Sequence, residues 1–110
     1  MLTFKTEADR IVADTIRKTA RDVLPPGSSV FLYGSRARGD ATPESDWDLL
    51  ILTDADSHSY ENFTRYAAPF VDIVFAHGQY VSPQLYSRDE RERGKGHPFY
   101  ENVTKEGVPM

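Results

Sequence analysis

Two aspartates one residue apart, Asp46 and Asp48, stand at the head of an almost wholly apolar run, and no other feature of the chain restricts its fold as tightly. Residues 46–53 read DWDLLILT, which predicts a strand that is buried beyond Asp48. Side chains two apart in a strand share a face, so Asp46 and Asp48 point one way and Trp47 the other. Neighbouring carboxylates repel each other unless a cation lies between them. Upstream, residues 29–33 (SVFLY) are short, β-branched and aromatic, and they run into Gly34, the pattern of a strand ending in a tight turn. Gly34 lets the backbone approach whatever lies at the strand's end. Residues 36–39 fit a short helical turn starting at Ser35, with amides suited to an anion. The stretch 31–52 therefore reads as a site for a metal-bound phosphate.

The rest of the chain supplies elements to support it. From 7 to 24, Ala8, Val12, Ile16, Ala20 and Val23 recur at spacings of three and four, one face of a helix that Thr6 caps and Pro25-Pro26-Gly27 ends. Residues 54–69 carry Tyr60, Phe63, Tyr66 and Ala67 at helical spacing. Residues 70–76 (FVDIVFA) are expected to form a third strand with Asp72 as its one polar residue. A carboxylate inside an apolar strand is costly to bury unless it is paired or bound to metal, so Asp72 is the expected third acid. Ser82-Pro83 resembles a helix start. The run 88–95 (RDERERGK) reads as a solvated face, with docking of a partner as the alternative. Residues 98–106 fit a last helix that stops at Gly107. The expected order is α, β, β, α, β, α, α, an α+β fold with a small mixed sheet packed with helices on one side.

Composition narrows the setting. The 110 residues fit one domain, 1–110, able to bury roughly two-thirds of its unfolded surface. The absence of cysteine removes disulfides and thiolate metal sites and is compatible with a cytoplasmic protein, the default expectation. No apolar run approaches the roughly 20 residues that span a bilayer, and MLTFKTEADR lacks a secretory h-region. A net charge of −4 gives no reason to expect a membrane partner or general nucleic-acid binding. His58, His77 and His97 lack ligand spacing for zinc.

The stretch GSRARGDATPESDWDLLIL resembles the signature of the polymerase-β-type nucleotidyltransferase superfamily, in which Gly-Ser is followed after about ten residues by Asp-x-Asp. Its length and the later VDIVF make the chain similar to the minimal nucleotidyltransferases (MNT) that act as antitoxins beside HEPN-domain toxins. The resemblance implies a polymerase-β-like fold. It implies catalytic, metal-binding roles for Asp46, Asp48 and Asp72, with Asp72 helping to deprotonate the acceptor. Gly34 and Ser35 would hold the triphosphate, with Arg36 and Arg38 adding positive charge. One or two Mg2+ ions, ATP as substrate and a HEPN toxin as the partner that receives AMP on a hydroxyl complete the expectation. Trp47 departs from the smaller aliphatic residue usual in that family.

Other readings are weaker. Residues 34–39 match the start of a P-loop, but Asp40-Ala41 stands where Lys and Ser or Thr are required. An aspartyl phosphohydrolase places its acid at the end of an apolar strand, whereas here the apolar strand follows. Arg91 and His97 fall at a loose HEPN-ribonuclease spacing, but Gly94, Gly96 and Pro98 break the helix it needs. The serious rival is a catalytically inactive nucleotidyltransferase-like module that neutralises its partner by contact alone.

Overall fold

The computed structural model describes residues 4–94 and 96–110; residues 1–3 and Lys95, the end of the charged run, lie outside the described residues. The first helix, α1 (Glu7–Val23), starts where Thr6 accepts a hydrogen bond from the Asp9 amide at 3.1 Å and ends before the two prolines. Val12 and Ile16 of the expected face are buried, joined by Ala13 and Thr19, while Ala8 at its start is exposed. Strand β1 (Ser29–Tyr33) leads through Gly34 into the single turn α2 (Ser35–Arg38), and β2 (Trp47–Thr53) follows a loop. Then come α3 (Tyr60–Tyr66), α4 (Ala68–Phe75), β3 (Val81–Ser87), α5 (Arg88–Arg93), α6 (Pro98–Glu106) and the two-residue β4 (Val108–Pro109).

The strands form one mixed sheet in the order β3-β2-β1-β4. β2 is antiparallel to β1, with Tyr33 opposite Asp48, and parallel to β3, with Ser82 opposite Asp48. One face carries the main core, where Val12 and Ile16 of α1 and Phe70 and Val74 of α4 meet Leu32, Trp47, Leu49 and Ile51. Helices cover this side as expected. The opposite face is not bare, because Val103 of α6 packs with Leu50 and Leu52, flanked by Phe31, Tyr33, Tyr86 and Phe99.

Two expected elements are corrected. Residues 70–76 lie in α4 and its C-terminal cap and are not a strand. A short apolar run without polar alternation has no period of its own, so its surroundings decide its conformation. Here Pro69 in the first turn starts a helix, and Phe70 and Val74, four apart, are the residues that are buried. The third strand is β3, within which Ser82-Pro83 lies; it does not begin a helix. Pro83 is tolerated because β3 is at the edge of the sheet, where a missing N–H need not break a ladder. The next helix starts instead at Ser87, whose side chain accepts from the Glu90 amide while Glu90 accepts from the Ser87 amide.

Candidate active site

The acids sit where β2 begins. Trp47 is fully buried against α1 and α4, and its indole donates to Gln79 Oε1 at 2.6 Å, so the alternation of the strand turns Asp48 to the opposite face. Asp46 lies one residue before the strand and is exposed; Asp48 is half-buried. Burial first, and the charge of Asp46 second, push the Asp48 carboxyl above the ordinary aspartate range, while the Arg38 guanidinium pulls it back. An acidic pair held together in this way has electrostatic demand for a cation, and its hard oxygen donors suit Mg2+. The donor set therefore fits a divalent ion, with Asp46 and Asp48 as the carboxylates to hold it. Among the described residues no group of three His, Cys, Asp or Glu is placed to bind a metal.

Asp72 does not join them. It lies exposed on α4, on the side of the sheet that Trp47 faces, whereas Asp48 shares its face with Leu50 and Leu52. The expected triad is thus two acids, because the segment bearing the third is a helix of the other layer.

Across the sheet the neighbours of Asp48 are Tyr33 on β1 and Ser82 on β3. Burial, with a further contribution from Asp48, pushes the Tyr33 phenol up to about 12, so it stays neutral. The Ser82 hydroxyl donates to Asp46 Oδ2 at 3.2 Å.

The glycine turn adjoins the acids. Gly34 adopts φ 76° and ψ −159°, and a Cβ there would overlap the Asp48 carboxylate. The Gly34 amide donates to Glu106 Oε1 at 3.1 Å, Arg38 Nη1 reaches Glu106 Oε2 at 3.1 Å, and Arg38 Nε pairs with Asp40. A carboxylate from the end of α6 thus occupies both the Gly34 amide and the Arg38 guanidinium. Ser35, partly buried, opens α2 next to this turn.

Arg36 and Arg38, expected as equals, are not. Arg38 is about half exposed beside the turn. Arg36 is buried, paired with Asp9 at 3.2 Å, stacked 4.5 Å over the Trp47 ring, and bonded through Nε to the Ser45 carbonyl at 3.1 Å. Its remaining nitrogen, Nη2, reaches the Thr42 and Pro43 carbonyls. A guanidinium with its donors committed in this way ties the loop before Asp46 to α1 and leaves no fork for a nucleotide.

Tyr33, Ser82 and Glu106 border the acids and the turn without belonging to the sequence motif. Tyr33 was visible as the end of a strand, but nothing local ties Ser82 or Glu106 to the site. Glu106 is 72 residues from Gly34 in sequence.

Two carboxylates and a glycine turn thus meet at one end of the sheet. The chain belongs to the nucleotidyltransferase domain family, whose model matches residues 13–104, and it is a nucleotidyltransferase. It is 31% identical over 78 residues, 71% of this chain and 72% of the relative, to "Putative protein adenylyltransferase MJ0604" of Methanocaldococcus jannaschii. Its fold is similar to that of a toxin-antitoxin crystallised with AMP-PNP, at TM-score 0.60 and 22% identity over 87% of this chain and 69% of that one. A mutant of the toxin-antitoxin MntA-HpeT, with two aspartates two positions apart changed to glutamate, matches at TM-score 0.57 and 20% identity over the same shares.

Proposed function

We propose that this enzyme moves AMP from ATP onto a hydroxyl of a protein partner, and that the partner is a HEPN-type toxin which the modification silences. The observation that carries the reading is the placement of Asp46 and Asp48 on one face beside Gly34, with Arg38 next to the turn. Three further points support it: the name of the M. jannaschii relative, AMP-PNP in one structural neighbour, and the changed aspartate pair in the other.

In this reading the acceptor oxygen attacks the α-phosphorus, the bond from that phosphorus to the bridging oxygen breaks, and pyrophosphate leaves with the electron pair. The acceptor's proton goes to solvent. Gly34 and Ser35 orient the β- and γ-phosphates through the turn, and Arg38 offsets their charge, replacing its contact with Glu106. Asp46 and Asp48 would hold Mg2+, which when bound neutralises charge on the phosphates. Arg36 holds the loop before Asp46 and does not touch the nucleotide.

The test is transfer of label from ATP labelled at the α-phosphate to a co-purified partner, with and without magnesium. Magnesium-dependent labelling that is lost in D46N and D48N is expected. An unlabelled partner that is still inhibited by D46N/D48N would leave contact alone as the mode of neutralisation.

A further inference from the structure

We propose that Ser82 is the third member of the acidic site, a positioning residue whose hydroxyl orients Asp46 where a third carboxylate would otherwise complete the cation's donor set. The inference rests on the reading of Asp46 and Asp48 as cation ligands.

Three observations converge on it. The register of the parallel pair sets Ser82 opposite Asp48, so both side chains leave the sheet on one face. The Ser82 hydroxyl donates to Asp46 Oδ2 at 3.2 Å. No other residue of β3 can play this part: the strand reads VSPQLYS and has no acid, Pro83 points to the other face, and Gln84 is paired further along with Leu50.

A donor bonded to one carboxylate oxygen fixes the rotation of the group and leaves the other oxygen for a cation. Outer partners of this kind commonly govern metal affinity. A hydroxyl adds no charge, so the site carries two negative charges where a three-acid site carries three. Ser82 is partly exposed on an edge strand, a position that admits a carboxylate without burying it. The site should therefore convert to a three-acid site by one substitution.

The experiment is Mn2+ binding to the metal-stripped protein without nucleotide, read from the paramagnetic resonance signal of the free ion, for wild type, D48N, S82A, S82D and D72N. Wild type is expected to bind Mn2+ and D48N to lose it. S82D should bind about tenfold more tightly, because affinity follows the number of charged ligands. S82A should bind about tenfold more weakly through loss of the outer hydrogen bond. D72N should match wild type.

Wild-type affinity in S82A overturns the positioning role, and that result decides the matter alone if S82D does not fold. Unchanged binding by folded S82D, with wild type binding through Asp48, overturns the three-acid conversion alone. Absence of binding by both wild type and S82D overturns the cation reading beneath it. Weakened binding by D72N returns the third place to Asp72.

Discussion

Gly34 and Asp48 are packed so closely that a single methyl group on the Gly34 Cα would overlap the Asp48 carboxylate. The backbone there, at φ 76° and ψ −159°, lies in a region open essentially to glycine. Turn and acid are therefore one unit, and G34A should disturb both. It is expected to cost about 1–3 kcal/mol from the backbone alone and to abolish transfer. Gly39, at φ 90° and ψ 8° with open space around its Cα, is the control. G39A should cost roughly 1 kcal/mol and keep transfer. Urea unfolding and the labelling assay measure both, and a G34A variant as active as G39A would separate the turn from the chemistry.

Arg36 separates support from substrate contact. Its side chain is 4% exposed and that of Asp9 is 17% exposed, so removing either partner leaves a charge with few routes to water. R36A should destabilise the protein by about 3–5 kcal/mol, the usual cost of breaking a buried pair. R36K should also destabilise, since an ammonium cannot serve Asp9, Ser45 and the Trp47 ring together. Denaturant unfolding of R36A, D9A and the double variant gives the coupling between the two. A stable R36A with weakened ATP binding would show Arg36 to be a phosphate ligand after all.

What the sequence disclosed follows from the range of the interactions. β1, β2 and the turn at Gly34 are written in adjacent residues, and the strand's period alone sets Asp46 and Asp48 apart from Trp47. The run around Asp72 has no such period, so whether it becomes helix or strand depends on packing against α1, whose Val12 and Ile16 lie more than fifty residues before Phe70. Once it became a helix, the third strand had to come from VSPQLYS, whose Pro83 argues against a central strand but not against an edge. Ser82 then reaches the acids through register, and Glu106 reaches Gly34 through the docking of α6. Neither relationship leaves a local trace. The position of Arg36 beside Gly34-Ser35 likewise carries no trace of its partner Asp9.

Glu106 sits on the donors that the proposed function gives to the triphosphate. Its carboxylate accepts from the Gly34 amide and from Arg38. E106Q keeps an acceptor for the amide and removes the charge that repels phosphate. It should tighten ATP binding by up to about fivefold, equivalent to ~1 kcal/mol for a partly exposed charge. E106A also loses the hydrogen bond to Gly34 and should be destabilised by about 1 kcal/mol. Calorimetric titration with a non-hydrolysable ATP analogue measures the first effect and thermal unfolding the second. Weaker binding by E106Q would mean that Glu106 organises the turn for the nucleotide and does not oppose it.

Asp48 is the residue for which function and stability should pull apart. Burial and Asp46 raise its folded pKa above the ordinary aspartate value, so the folded state holds this proton more tightly than the unfolded state. By linkage, stability falls as pH rises from the ordinary aspartate range through the raised value, and the ionised carboxylate is a burden at every higher pH. D48N carries no such charge. In chelator at pH 7 it should melt above wild type by roughly 2 °C, a modest shift because the group is partly exposed. That gap should close as the pH falls below the ordinary aspartate range, where both side chains are neutral. Magnesium should raise the melting temperature of wild type and not of D48N, since an ion that binds only the folded state stabilises it by mass action. Transfer activity should be lost in D48N throughout. Thermal unfolding across pH, with chelator and with magnesium, checks each part, and a D48N protein that melts below wild type at pH 7 in chelator would show that its carboxylate is stabilised by contacts other than a cation.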